Sequence, residues 1–152
     1  MLLTFVTSCL MLMLLFHGGS ERYALDCRYI LTIVPMVELT KQRQAPSYIA
    51  GLMRYHQKLV PVIDLCQLLQ GKPAANHLST RIILVEYPLQ EERHILGLVA
   101  ERVTETVKMN SSAFEQGDLS MDRTGIIQQV RLDRLVSKLN TQFILAGDAS
   151  SY

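Results

Sequence analysis

Three side chains of the types used in nucleophilic catalysis lie close together in the sequence: His56, Asp64 and Cys66. An imidazole, a carboxylate and a thiol could act as general base, orienting group and nucleophile. Asp64, however, directly precedes a short apolar run, so its carboxylate is equally explained as a helix N-cap. Cys66 falls inside that helix, and no protease signature surrounds it. The sequence favours structural roles for these residues and keeps a small cysteine or serine hydrolase as an alternative.

The other residues with metal-binding or phosphate-binding chemistry are isolated. The histidines, which are His17, His56, His77 and His94, form no pair at the spacing of a zinc site. The three cysteines lie far apart and outside any Cys-x-x-Cys pattern, which indicates buried thiols in a reducing compartment. No glycine pattern matches a P-loop or a dinucleotide fingerprint. The sequence therefore predicts no catalytic residue, no metal and no cofactor.

The composition is that of a neutral, aliphatic chain. Fifteen Lys and Arg residues oppose fourteen Asp and Glu residues, and the formal net charge is +1 with the two signs interleaved. A nucleic-acid-binding protein would carry a basic patch, so no nucleic acid partner is expected. With 152 residues, 49% hydrophobic and only 7% aromatic, the chain predicts one domain with an aliphatic core.

The first sixteen residues are almost wholly apolar and have two interpretations. They could tether a regulatory subunit to a membrane, but they lack a basic flank and fall short of the roughly 20 residues that span a bilayer. In the second interpretation, residues 11–16 and 22–25 are strands of a β-hairpin, and residues 1–10 are a dispensable extension that need not be native. We favour the second interpretation and expect no direct membrane insertion.

Short apolar segments separated by turn residues predict a β-rich unit. Residues 26–39 read as two strands with a break near Pro35. Pro61 places the strand over residues 59–63 at a sheet edge or beside a bulge. Gly51 marks a bulge or a close approach of another backbone.

The second half of the chain continues this pattern. Residues 80–87 suit a strand buried on both faces, and residues 94–109 suit two strands with a break. Residues 110–124 read as a polar loop anchored by Phe114 and Leu119. We further expect Asp64 to cap a helix over residues 65–70 that stops at Gly71, and Asp133 to cap a helix over residues 134–139. Residues 147–152 read as a frayed tail.

Six motifs resemble those of CheW-like domains in order and spacing. They lie at residues 18–26, 45–51, 60–65, 80–85, 97–103 and 125–135. The resemblance extends over residues 11–146 as one domain and implies a mostly β fold. That fold consists of two SH3-like, five-stranded β-barrel subdomains, with short helices, packed around a shared apolar core.

The resemblance also implies a function without catalysis or cofactor. Members of the family are adaptors that join the cytoplasmic domain of a chemoreceptor to the CheW-like regulatory domain of a histidine kinase. The protein is accordingly expected in the cytoplasm, associated with membrane receptor arrays through its partners.

Two residues depart from the family pattern. His56 stands where many members have an arginine associated with receptor contact, and Thr32 stands where a glutamate is frequent. An always-charged bidentate donor is thereby replaced by a group that is mostly neutral near pH 7. The resemblance assigns a receptor-facing set, which consists of Ile30, Thr32, Arg54, Tyr55 and His56. Gly51, Pro61, Asp64 and Gly97 are expected to have structural roles, because capping, edge-strand geometry and close packing explain them equally well.

Overall fold

The computed structural model describes residues 10–89, 91–114 and 117–139. The predicted tail over residues 147–152 and most of the predicted extension over residues 1–10 lie outside these described residues. In chain order the elements are β1 (Leu10–Gly18), β2 (Glu21–Asp26), a 3₁₀ turn (Cys27–Tyr29), β3 (Ile30–Pro35), β4 (Ile49–Tyr55), β5 (Lys58–Asp64), α1 (Leu65–Gln70), β6 (Arg81–Leu89), β7 (Glu92–Asn110), a second 3₁₀ turn (Ser111–Phe114), β8 (Leu119–Asp122), β9 (Gly125–Val130) and α2 (Leu132–Ser137).

The strands form two five-stranded units that share β7. The first unit, called barrel 1, has the strand order β7, β1, β2, β9, β8, and the second, called barrel 2, has the order β3, β6, β7, β5, β4. In barrel 2 the segment after β3 reaches the far edge strand, where Thr40 and Leu52 exchange backbone hydrogen bonds of 2.9 and 2.7 Å. This architecture confirms the predicted mostly β fold with two five-stranded barrel subdomains.

β7 contributes one half to each barrel. Its residues 92–100 pair with β6, and its residues 101–110 pair with β1. Between the two halves Arg102 has φ +47°, and the register with β1 shifts between Leu15 and His17. An extra residue in a ladder bends the strand without ending it. The sequence predicted two strands with a break, whereas the structure has one long strand with a bulge.

Three apolar clusters fill the described part of the molecule, one inside each barrel and one between them. Successive residues of β6 show how this works, because side chains of a strand point alternately to its two faces. Ile82 and Leu84 point into barrel 2, while Ile83 and Val85 enter the cluster between the barrels. β6 is therefore buried on both faces, as its continuous apolar run predicted.

The apolar N-terminal segment contains a core strand. β1 places Met13 inside barrel 1 and Phe16 in the cluster between the barrels, and both are almost completely buried. The β-hairpin of β1 and β2 is confirmed, with Gly18 paired to Glu21. Residues 10–16 are therefore part of a core strand, and the alternative of a membrane anchor over residues 1–16 is wrong for them. Among the described helices, none is long and apolar enough to cross a membrane.

Gly51 and Gly97 lie where another segment approaches their backbone. Gly51 has φ +149°, and a Cβ at this residue would lie 2.7 Å from the carbonyl oxygen of Thr40. The register of β4 with β5 shifts here, so the predicted bulge is present. At Gly97 a Cβ would lie 3.0 Å from a methyl group of Val62 on the neighbouring strand.

Pro61 and Asp64 both lie in β5. Pro61 pairs with β4, while the parallel pairing of β5 with β7 begins only at Val62, so the missing N–H of Pro61 leaves that ladder intact. Asp64 is the N-cap of α1, and its carboxylate accepts a hydrogen bond of 3.1 Å from the backbone N–H of Gln67. The helix ends at Gly71, which has φ +77°. The predicted cap and stop of this helix are confirmed.

The segment after β2 differs from its prediction of two strands. A 3₁₀ turn comes first, and the Asp26 carboxylate stabilises it by accepting a hydrogen bond of 2.9 Å from the N–H of Arg28. One strand, β3, then ends at Pro35, and among the described residues that follow only Thr40 forms a bridge before β4. The proline therefore ends the strand instead of interrupting it.

Two details of the C-terminal third were predicted incorrectly. The expected loop over residues 110–124 contains a 3₁₀ turn and β8, and of its two expected anchors Phe114 is buried while Leu119 is 46% exposed. Helix α2 begins at Leu132, two residues before the predicted start. Asp133 lies in its first turn and makes no cap, because packing of Leu132 into the shared cluster sets the start of the helix.

Candidate functional site

The hairpin between β4 and β5 presents three of the predicted site residues. Tyr55 pairs with Lys58, and the two residues between them, His56 and Gln57, have φ values of +48° and +67°. Two consecutive left-handed residues form the type I′ turn, whose twist matches that of the flanking strands. Neither residue is glycine, and each L-residue in this conformation costs about 1–2 kcal/mol. The turn holds His56 at the tip of the hairpin.

The side chains at this tip divide between core and solvent. Tyr55 is half-buried and packs against the apolar cluster inside barrel 2, while Arg54, His56 and Lys58 are exposed. The rings of Tyr55 and His56 meet edge to face, with centroids 4.2 Å apart. Within the described residues the exposed cationic side chains Arg54 and Lys58 make no ion pair. The tip is therefore a positively charged, aromatic-backed surface whose charges are available to a partner.

The other two predicted site residues, Ile30 and Thr32, lie on β3 and are half-buried. Ile30 packs against the cluster between the barrels, whereas Tyr55 packs against the cluster inside barrel 2. The structure thus divides the five predicted residues into a hairpin group and a β3 group that rest on different cores.

The outward face of β3 carries apolar residues that the sequence analysis missed. Leu31 and Ile33 are 43% and 39% exposed, and they alternate with the inward residues of the strand. An edge strand normally carries polar or charged residues on its solvent face. The signal was present in the sequence, because the strand has apolar residues at both odd and even positions while one of its faces meets solvent.

The proposed nucleophile and base are at opposite ends of β5. His56 precedes the strand and Cys66 follows it, and seven residues of strand separate them, a length of about 20 Å. Burial, together with the nearby charge of Glu101, raises the pKa of the Cys66 thiol to about 12. A catalytic thiol needs the opposite shift. The geometry contradicts the pair of Cys66 and His56 on which the cysteine form of the hydrolase alternative depends.

Glu101 is a buried carboxylate on β7 that the sequence analysis did not single out. It accepts a hydrogen bond of 2.7 Å from the N–H of Ala75 and one of 3.3 Å from the N–H of Gly19, and the Cys66 Sγ lies 3.7 Å away. These contacts connect the β1–β2 turn, α1 and the loop before β6. The carboxylate of Glu101 thus gives two backbone N–H groups a hydrogen-bond acceptor.

A family model, a relative and a solved structure match this chain. The model of the CheW-like domain matches residues 12–148. The chain belongs to the CheW-like family. A curated relative, the chemotaxis protein CheW of Helicobacter pylori, is 26% identical over 133 residues, which cover 86% of this chain and 78% of that protein.

A solved CheW-like structure has the same fold. The crystal structure of the scaffolding protein TtCheW from Thermoanaerobacter tengcongensis matches with a TM-score of 0.69 and 19% sequence identity. The match covers 87% of this chain and 91% of that one. The predicted family and fold class are both confirmed.

Proposed function

We propose that this CheW-like protein is a non-catalytic adaptor that couples the cytoplasmic domain of a chemoreceptor to the CheW-like domain of a histidine kinase. The family match over residues 12–148 is the observation that carries the proposal. In this role the protein acts in the cytoplasm and reaches membrane receptor arrays through its partners.

The hairpin between β4 and β5 is the proposed centre of receptor contact. His56 is exposed in the two-residue turn and Arg54 is exposed near the end of β4, and Arg is among the residues that most often anchor protein interfaces. Tyr55 supports them from below through its packing against the barrel 2 cluster. On β3, Ile30 and Thr32 are half-buried on the inward face, so in this proposal the outward Leu31 and Ile33 form the exposed part of the contact on that strand.

His56 changes the charge and the hydrogen-bonding capacity of the proposed contact relative to an arginine. Arginine offers a permanently charged fork of donors, whereas a histidine is a weaker and switchable donor. We therefore infer that this protein selects receptors that differ from those bound by family members with arginine at this position.

A pulldown from native cytosol tests the proposal. The wild-type chain should recover a chemoreceptor and a histidine kinase, and Arg54→Glu should lower receptor recovery at least about tenfold, because it reverses a charge at the contact. Kinase recovery should not change. His56→Arg should alter which receptors are recovered.

Lys108→Glu on barrel 1 is the matched control, because Lys108 is exposed and makes no ion pair with any described residue. Recovery of neither partner by folded wild-type protein would refute the adaptor function. Equal losses for Arg54→Glu and Lys108→Glu would instead remove the hairpin from the receptor contact.

The absence of catalysis in this proposal is supported by Cys66, whose buried thiol with a raised pKa is unsuited to nucleophilic attack. Cys66→Ala should therefore recover the same partners as wild type. Loss of both partners by a folded Cys66→Ala protein would give this thiol a role that the proposal does not include.

A further inference from the structure

A second charged surface lies on barrel 1, away from the hairpin between β4 and β5. A groove of about 220 Å³ runs between β9, α1 and α2, and we call it the basic groove. Arg131, Arg134 and Lys138 line it along one edge of α2, and among the described lining residues Asp118 is the one carboxylate. The Glu21 carboxylate lies at its border, where it accepts a hydrogen bond of 3.0 Å from the side-chain amide of Gln128. Three cationic side chains thus face two carboxylates.

Asp118 fixes the orientation of both arginines. Its Oδ1 lies 2.6 Å from Arg131 Nε, and its Oδ2 lies 2.7 Å from Arg134 Nη1. A guanidinium has five N–H donors, so each arginine keeps further donors after this contact. Because these side chains are already held in place, binding of a ligand loses less side-chain conformational entropy. Lys138 makes no ion pair with any described residue, and its charge is also available.

An apolar strip borders the basic groove. Gln128, which lines the groove, pairs across the β8–β9 hairpin with Leu119, and Met121 pairs with Ile126. Leu119, Met121 and Ile126 share one face of this hairpin and are 46%, 74% and 50% exposed. An exposed apolar face beside a polar rim is typical of a protein contact site.

The size of the basic groove also indicates a protein partner. Sites for free small molecules usually enclose about 300–1,000 Å³. A groove of about 220 Å³ has room for one or two carboxylate side chains of a larger partner. The planar arginine forks match the geometry of such carboxylates.

We propose that the basic groove and the apolar strip form a docking surface for a protein segment with acidic side chains beside an apolar residue. The carboxylates of the partner pair with the free donors of Arg131 and Arg134 and with Lys138, and its apolar residue packs on Met121 and Ile126. This surface is separate from the proposed receptor contact, and neither proposal depends on the other.

Two fluorescein-labelled peptides of about ten residues serve as probes, one of glutamate alone and one with two central leucines. Both should raise the fluorescence anisotropy when added to the full chain at low salt, where charge pairs are least screened. Lys138→Glu and Arg134→Glu should weaken both peptides at least about tenfold. Met121→Ser should weaken only the leucine-containing peptide.

Lys41→Glu is the control for overall charge, since Lys41 is exposed on the barrel 2 side and makes no ion pair with any described residue. Lys138→Glu breaks no ion pair of the described fold, so its result stands even where Arg134→Glu disturbs the contact with Asp118. No binding by either peptide would overturn the proposal, as would equal weakening by Lys41→Glu. Displacement of the peptides by inorganic phosphate at similar concentrations would assign the groove to phosphate instead.

Discussion

At the scale of single residues, Asp64 stabilises two segments at once. One carboxylate oxygen accepts from the N–H of Gln67 and the other, at 2.9 Å, from the N–H of Ala74 in the loop that follows α1. Asp64→Ala should lower the free energy of unfolding by about 1–2 kcal/mol, because both donors lose their partner. In thermal unfolding followed by circular dichroism, this corresponds to a Tm lower by about 2–8 °C.

Asp133→Ala is the matched control for Asp64→Ala. Asp133 has the sequence context of a cap, but it lies in the first turn of α2 and makes no cap bond. Its removal should cost less than about 0.5 kcal/mol. Similar Tm losses for the two variants would show that the hydrogen bonds of Asp64 do not account for its effect.

Cys66 provides a prediction about pH. Burial first, and then the charge of Glu101, raises the pKa of this thiol to about 12, so the thiol stays neutral in the folded protein at pH 9. With Cys9 and Cys27 replaced by serine, iodoacetamide should label folded Cys66 far more slowly than unfolded Cys66 at that pH. Glu101→Gln removes the negative charge, lowers the thiol pKa and should speed the labelling. Equally fast labelling of folded and unfolded protein would contradict the shift.

The same shift has a defined effect on stability. A thiol pKa near 8.5 in the unfolded chain and about 12 in the folded chain means that the folded state retains its proton longer as the pH rises. The contribution of Cys66 to stability is therefore complete below about pH 8.5. It is lost progressively between that pH and about 12.

At the scale of elements, the approach of the segment after β3 to β4 depends on Gly51. A side chain here meets the backbone oxygen of Thr40 at 2.7 Å, and the φ of +149° is strained for any L-residue. Gly51→Ala should cost about 2–3 kcal/mol in chemical denaturation. Gly125→Ala, at φ +135° but with no atom within 4 Å of its Cβ, should cost only about 1 kcal/mol.

The comparison of these two glycines separates backbone strain from the steric clash. Equal losses for Gly51→Ala and Gly125→Ala would mean that the contact with Thr40 relaxes without cost. A larger loss at Gly51 would show that the bridge closing barrel 2 requires glycine at this position.

The elements that the sequence predicted are those whose signal is local. The cap at Asp64, the stop at Gly71 and the apolar run of β6 depend on neighbouring residues, and the structure confirms them. The long β7 was not predicted, because only its first half pairs with the adjacent β6, while its second half pairs with β1, which is distant in the sequence. The early start of α2 likewise depends on the packing of Leu132 against a remote cluster.

In the candidate site, too, some features could be predicted from the sequence and others could not. Exposure of Arg54 and His56 was predictable from a polar segment between two apolar strands. The orientation of Ile30 toward the core was not, because β3 has apolar residues on both faces, with Ile30 inward and Leu31 and Ile33 outward. Residue types therefore do not tell the two faces apart, so their assignment required the structure.

At the scale of the whole molecule, the two barrels cannot be separated without exposing their largest cluster. That cluster takes residues from β1, β6, β7 and both α-helices, and β7 itself belongs to both barrels. An adaptor that presents one surface on each barrel gains from this arrangement, because a rigid body keeps a fixed distance between its partners. The hairpin contact and the basic groove would then be held at constant separation by the shared core.

The shared core predicts one cooperative unfolding transition. Met13→Ala, in the cluster inside barrel 1, and Met53→Ala, in the cluster inside barrel 2, should each lower the Tm of the same transition. Differential scanning calorimetry of the wild type should give equal calorimetric and van't Hoff enthalpies, because neither barrel retains its structure once the cluster between them opens. Two resolved transitions, each shifted by only one of the variants, would show that the barrels are independent units and that β7 acts as a flexible connection between them.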